Sequence, residues 1–226
     1  MTFVIEQKPS PNTDNVSFNP RGITLHTTLG NFNGAVDWLR TSPEERKRKT
    51  GVKTYSSAHF VIGRLGEIAQ LIPLDKRAWH AGRVSKPTEL GKAALKPSIV
   101  GYQNPNNYMF GLEFASGYDI DRDGILESWE RLFTPHQIKA AVFLKNHIEE
   151  ALNIEIPERY IITHHDTDSS KPNITAARLM VLSELRKQEQ PQPTPPPTPG
   201  LGLLNGDRIE IIDIKANGEF TARKVA

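Results

Sequence analysis

Apolar and polar residues alternate through 22-GITLHTT-28, the period of a strand, and the run closes in a polar cluster. Phe32 to Arg40, with Val36, Trp38 and Leu39, carries the spacing of a short helix. The runs 58-AHFVIGR-64 and 67-EIAQLIP-73 flank Leu65-Gly66 and predict a hairpin, and 109-MFGLEFA-115 predicts a further strand. Thr134-Pro135-His136-Gln137 reads as a helix start, with Thr as N-cap, Pro at the first helical position and Gln placed to close a capping box. The helix it opens presents Ile138, Ala141, Val142, Lys145, Ile148 and Leu152 at helical spacing. After a strand at 159-RYIIT-163 comes a last helix from Ala176 to Lys187. Strands interleaved with helices imply an α/β domain, a mixed central β-sheet flanked by helices.

The strongest boundary is 190-QPQPTPPPTPG-200, too rich in proline for helix or sheet and read as an extended spacer. It divides a main domain, residues 1–187, from a Pro-rich linker, 188–200, and a tail, 201–226. The tail reads as a strand, a turn at Asn217-Gly218 and a second strand, a short C-terminal β-hairpin appendage. Two strands alone are marginal in water. The hairpin is therefore expected to dock on another chain, to pack back on the main domain, or to be the remnant of a longer module.

Composition narrows the function classes. A chain of 226 residues buries one sizeable core. The formal charge of +2 and pI near 8.8 are too mild to argue for nucleic acid. The densest charge run, 44-EERKRK-49, reads as a solvated helix end or loop. With no cysteine, disulfides and thiolate ligands are excluded, so any zinc must rest on His, Asp, Glu or water. The N-terminus lacks the basic and apolar regions of a signal peptide, and no run approaches a membrane span.

The chemistry gathers in 161-IITHHDTDSSKPNI-174. His26 and His164 each end a strand, and two histidines from neighbouring strand ends are two-thirds of an open zinc site. His165, Asp166 and Asp168 are near enough to be ligands or their supports, and spacing alone does not choose among them. Glu113 interrupts an apolar strand, as a paired core group or as the general base of a hydrolase, and Lys171 could then stabilise an oxyanion. Separately, 119-DIDRDGILESWE-130 fits a calcium loop at every defining position. Asp119, Asp121 and Asp123 supply carboxylates, Gly124 the turn, Ile125 a carbonyl and Glu130 a bidentate closure. A structural calcium there would clamp the connection between the Glu113 strand and the Thr134 helix.

The stretches 23-ITLHTT-28, 57-SAHFVIGRLGEIAQLIPLDKRAWHAG-82, 106-NNYMFGLEF-114 and 163-THHDTDSSKPN-173 resemble the N-acetylmuramoyl-L-alanine amidases of the type-2 amidase and peptidoglycan recognition protein superfamily. The likeness is to the branch holding the anhydromuropeptide amidase and phage endolysins, and it covers roughly residues 20 to 187. It implies zinc-dependent hydrolysis of the amide between N-acetylmuramic acid and the L-alanine of the stem peptide, with peptidoglycan or muropeptide as partner. It also implies zinc on His26, His164 and position 173, catalysis by Glu113 and Lys171, and a substrate groove walled by Trp79 and His80. Position 173 departs from the pattern, because Asn173 stands where an acidic or thiolate ligand is usual. Zinc is then retained with Asp166 or Asp168 substituting, or held weakly, or the domain only binds muropeptide. The calcium loop and spacer favour work on the cell wall, as a phage or prophage lysin or an envelope amidase. Such a chain would be made in the cytoplasm and released by a holin or carried by a virion or secretion device.

Overall fold

Short β-rich runs, each ended by Gly, Pro or a polar cluster, pair here into one central sheet. The structure, a computed structural model, describes residues 2–14, 16, 18–28, 30–98, 101–115, 133–189, 203–204, 207–214 and 220–225. The chain divides into two compact units, Met1–Lys187 and Gln188–Ala226.

The first unit holds strands β1 (Ile5–Gln7), β2 (Thr13–Asp14), β3 (Gly22–Thr28), β4 (Phe60–Ile62), β5 (Ile68–Gln70), β6 (Arg77–Ala78), β7 (Pro97–Ser98), β8 (Gly101–Tyr102), β9 (Met109–Ala115) and β10 (Ile161–Thr163). Its helices are α1 (Phe32–Arg40), α2 (Pro43–Thr50), α3 (Glu89–Leu95), α4 (Pro135–Leu152), α5 (His164–Thr167) and α6 (Thr175–Glu189). Six strands form the main sheet in the order β1-β5-β4-β9-β3-β10. Only β4 and β5 are antiparallel, the expected hairpin, and the other neighbours run parallel. The hairpin turn needs Gly66, whose φ of 89° is left-handed backbone that a side chain would strain.

Alternation along each strand sorts residues onto two faces. Ile23, Leu25, Phe60, Ile62, Phe110, Leu112 and Phe114 bury one face against Ile138, Val142 and Leu144 of α4 and Val181 and Leu185 of α6. Each large side chain so buried contributes about 1.5–3 kcal/mol, which makes this layer the main source of stability. The other face is partly apolar, with α1 over Val61 and Ala69 and α3 over Met109 and Ile162. Between those patches it carries Thr24, His26, Gly111 and Glu113, and that polar strip is where chemistry is available.

The helix signals are realised as hydrogen bonds. Thr134 Oγ1 accepts from Gln137 N at 3.1 Å and Gln137 Oε1 accepts from Thr134 N at 3.0 Å, closing the capping box. Gln137 Nε2 also donates to Ala115 O at 2.8 Å, so the cap of α4 grips the end of β9. The run 44-EERKRK-49 lies within a full helix, α2, with Glu44 and Glu45 in its first turn and Lys47, Arg48 and Lys49 in its last. That distribution complements the helix dipole. Arg46 within it is fully buried and donates to Trp38 O at 2.6 Å, so the run is only partly a solvated face.

In the second unit β11 (Leu203–Leu204), β12 (Asp207–Ile214) and β13 (Phe220–Val225) form an antiparallel sheet in that order. A third short strand thus extends the expected hairpin, and the β12–β13 register shifts between Ile211 and Asp213. The Asn217-Gly218 turn and the calcium-loop expectation at 119–130 lie outside the described residues. No helix among the described residues is long and apolar enough to cross a membrane.

Candidate active site

Strand register assembles the site. Parallel pairing sets His26 opposite Glu113 on β9 and Leu25 opposite Thr163 on β10. The next residue after Thr163 is His164, the first of α5, and it arrives beside His26. Three consecutive sheet neighbours therefore present a carboxyl and two imidazoles at their C-terminal ends, the edge at which open α/β sheets bind ligands. His26 Nδ1 and His164 Nδ1 are 3.1 Å apart, and Glu113 Oε1 lies 3.9 Å from His26 Nδ1.

Burial controls the charge states. It is the largest cause holding His26 well below the ordinary imidazole range, with His164, His80 and Lys171 adding to it. Burial and then the Lys171 charge bring His164 down to about 4, against a smaller opposing pull from Asp168. Burial pushes Glu113 up to about 8 although its side chain keeps 13% exposure. At neutral pH both imidazoles are therefore neutral donors of a lone pair, beside a carboxyl that resists ionising in the absence of a cation.

The α5 turn that carries His164 is only four residues long and is held from outside. Asp166 Oδ2 accepts from Thr163 N and Oγ1, both at 2.8 Å, while Asp166 Oδ1 accepts from Thr88 Oγ1 at 2.7 Å. Thr88 N donates to Asp166 O at 3.1 Å. Asp166 is thus consumed in fastening α5 to the start of α3. Asp168 Oδ1 accepts from Ser170 N and Oγ, bonds that bring its carboxyl down to about 2. His165 Nδ1 donates to Lys171 O at 2.9 Å, and Asn173 Oδ1 accepts from Thr175 N at 3.0 Å at the start of α6. Asn173, the expected third ligand, and Asp166 and Asp168, its expected substitutes, thus each make hydrogen bonds of their own: Asn173 at the start of α6, Asp166 to Thr163 and Thr88, and Asp168 to Ser170. Lys171 is exposed and near enough for its charge to act on both imidazoles.

The two rings of the WHAG turn stand in different surroundings. Trp79 is half-buried and lies under Arg77, whose guanidinium carbon is 4.2 Å from the ring centre. His80 points inward rather than walling a groove. It is only 8% exposed, its Nδ1 is 2.9 Å from His26 Nε2, and its Nε2 donates to Met109 O at 2.9 Å. Two buried residues that sequence reasoning passed over support it. Asn106 Oδ1 accepts from His80 N and Ala81 N, and its Nδ2 donates to Ala81 O. His59 Nδ1 accepts from Gly111 N, and its Nε2 donates to Lys76 O, both at 3.0 Å. The period-2 pattern of 58-AHFVIGR-64 places His59 on the face of Val61, the one signal that could have found it.

The donor set can be tested against zinc. Two imidazole nitrogens on one tetrahedral zinc, each about 2.0–2.1 Å from it, stand about 3.3 Å apart. The 3.1 Å between the facing Nδ1 atoms is close to that edge, so His26 and His164 fit two positions of such a shell. Among the described residues no group of three His, Asp or Glu side chains converges to supply more. A catalytic zinc takes three protein ligands and leaves the fourth position to water, so the pair supplies two of those three.

Residues 17–174 match the family described as N-acetylmuramoyl-L-alanine amidase. A 26-residue stretch is 69% identical to the 1,6-anhydro-N-acetylmuramyl-L-alanine amidase AmpD of Escherichia coli (strain K12), and equally to that of Citrobacter freundii. The stretch spans 12% of this chain and 14% of each of those relatives. A solved selenomethionine derivative of AmpD superposes with a TM-score of 0.52 at 21% identity, covering 80% of this chain and 99% of that one, a likeness of fold.

Proposed function

Since the chain belongs to the N-acetylmuramoyl-L-alanine amidase family, whose pattern spans residues 17–174, we propose that it hydrolyses the amide joining N-acetylmuramic acid to the L-alanine of a peptidoglycan stem peptide. The observation that carries this reading is the row Glu113, His26, His164 at the C-terminal ends of three adjacent strands. His26 and His164 would hold zinc, which when bound supplies a Lewis acid that polarises the carbonyl and acidifies a water.

The chain's own groups then divide the work. Glu113, 3.9 Å from His26 Nδ1, would take a proton from the attacking water once a cation held at the histidine pair favours its ionised form over the protonated one that burial favours. The same group returns that proton to the departing nitrogen of alanine, so that the products are a muramyl lactate carboxylate and a free peptide amine. Lys171, exposed beside the pair, supplies positive charge for the oxygen that becomes negative as the carbonyl is attacked. The finer reading, a phage or prophage lysin or another envelope-acting amidase, rests on the Pro-rich spacer and the second unit, which are additions to a catalytic domain.

The test is release of stem peptide from a muropeptide by the full chain, with metal content measured alongside. Glu113→Gln should lower turnover by about 10²–10⁴-fold while leaving bound zinc unchanged. A variant that retains near-normal turnover removes Glu113 from the reaction. One observation favours a second reading, a muropeptide-binding module without catalysis: Asn173 stays in its turn, and no third side chain joins the pair among the described residues. Zinc present only after Asn173→Asp, with no turnover in the unaltered chain, selects that reading.

A further inference from the structure

Every neutral histidine carries its one ring proton on one of two nitrogens, and for a ligand the choice decides whether a lone pair faces the metal. Around His26 the surrounding bonds make that choice. Met109 O is a carbonyl and can only accept, so the 2.9 Å bond from His80 assigns the proton of His80 to Nε2. His80 Nδ1 then carries the lone pair of the neutral ring, which is buried at 8% exposure. It lies 2.9 Å from His26 Nε2, which must therefore be the N–H of His26. By elimination Nδ1 of His26 is unprotonated, and it is the atom that faces His164 Nδ1 at 3.1 Å.

We propose that His80 is the positioning residue of this site: by accepting the Nε2 proton of His26 it holds Nδ1 as a lone pair aimed at the point shared with His164. The fold invests several residues in keeping His80 there. A Cβ on Gly111 would lie 2.5 Å from His80 Cγ, so the strand carries glycine where the ring lies over it. Asn106 clamps the backbone of His80 and Ala81 with three hydrogen bonds, and is itself 3% exposed. His59, 6.1 Å away between ring centres, fills the space behind. Among the described residues the side-chain hydrogen bonds of Asn106 and His59 go to backbone and not to His26 or His164, so their support passes through His80.

This assignment rests on the metal-binding reading for its purpose but not for its test. Long-range ¹H–¹⁵N correlation spectra of the imidazoles, taken on the full chain stripped of metal at neutral pH, read each tautomer directly. His26 and His80 are both expected as Nε2–H tautomers, and His26 protonated at Nδ1 overturns the proposal. Zinc affinity is then measured by competition with a chromophoric chelator. His80→Leu, which offers no acceptor, should shift His26 toward a mixture of tautomers and weaken zinc about 10–100-fold. His80→Asn, whose carbonyl can accept the same proton, should restore both, and an effect of Leu that Asn does not repair marks a merely structural role and overturns the proposal. If the unaltered chain shows the assigned tautomers yet takes up no zinc, the zinc reading fails and the role of His80 stands. If His80→Leu does not fold, the spectra of the unaltered chain decide alone.

Discussion

Gly91→Ala puts the support of His164 to a test in which two ordinary effects have opposite signs. Gly91 sits inside α3, where replacing glycine by alanine normally stabilises a helix by about 0.8–1 kcal/mol. Here the added Cβ would fall 1.8 Å from Asp166 O, a backbone atom that cannot rotate away. Ordinary contact lies near 3.4 Å, so α3 and α5 must separate by roughly 1.5 Å. That separation breaks the Thr88 N to Asp166 O bond and the Thr88 Oγ1 to Asp166 Oδ1 bond, costing about 1 kcal/mol for the first and about 1.5–3 for the charge-assisted second. Overpacking strain adds about 1–3 kcal/mol. After subtracting the propensity gain, a net loss of about 2.5–6 kcal/mol is expected. Urea unfolding followed by tryptophan fluorescence measures it, and zinc affinity reports whether His164 moved with α5. A variant as stable as the original chain, or more stable, would falsify the claim that α3 presses on the α5 turn.

Other perturbations follow the same contacts. Asn106→Ala leaves His80 N, Ala81 N and Ala81 O without partners in a buried turn, and a loss of about 2–4 kcal/mol in urea unfolding is expected; a loss under about 1 kcal/mol argues that water replaces the amide. Thr134→Ala removes both the cap of α4 and the 2.6 Å bond to Arg64 O, and should cost about 1–2 kcal/mol, whereas Thr134→Ser should cost well under half of that. For pH, His59 and His80 are brought from the ordinary imidazole range down to about 3, burial being the largest cause for each. The folded state then binds fewer protons than the unfolded state between those values, so their stability is complete above about pH 6.5 and is lost as pH falls toward 3. Glu113, raised to about 8, runs the other way, so the measurement belongs in metal-free Glu113→Gln, where unfolding midpoints that do not fall with acidity contradict neutral buried histidines.

Much of this molecule is legible in its sequence because local rules are obeyed locally. Period-2 runs became β3, β4, β5 and β9, and the bounds of α1 match its helical spacing. Thr134-Pro135-His136-Gln137 formed the capping box that its residue types dictate, since cap bonds reach only three residues along the chain. The mixed α/β class follows from the order of those elements, and the place of His26 near the end of β3 and of His164 just after β10 follows from their local runs. What the sequence could not decide was pairing and orientation. That Glu113 stands opposite His26 depends on β9 lying beside β3, a neighbour more than eighty residues distant, and no local pattern encodes that register. The residues 166, 168 and 173 crowd the linear motif, yet cap and turn bonds engage their oxygens, Asp166 at the start of α5, Asp168 in the turn after it and Asn173 at the start of α6, because helix ends draw on the nearest side chains. His80 lies 54 positions from His26, and only the sheet, folded so that Gly111 opens a place for its ring, brings the two nitrogens together. Sequence alone determined which chemical groups this protein owns and the strands and helices that carry them; the tertiary structure decided which of them meet, because a hydrogen bond forms across space between groups that chain order leaves far apart.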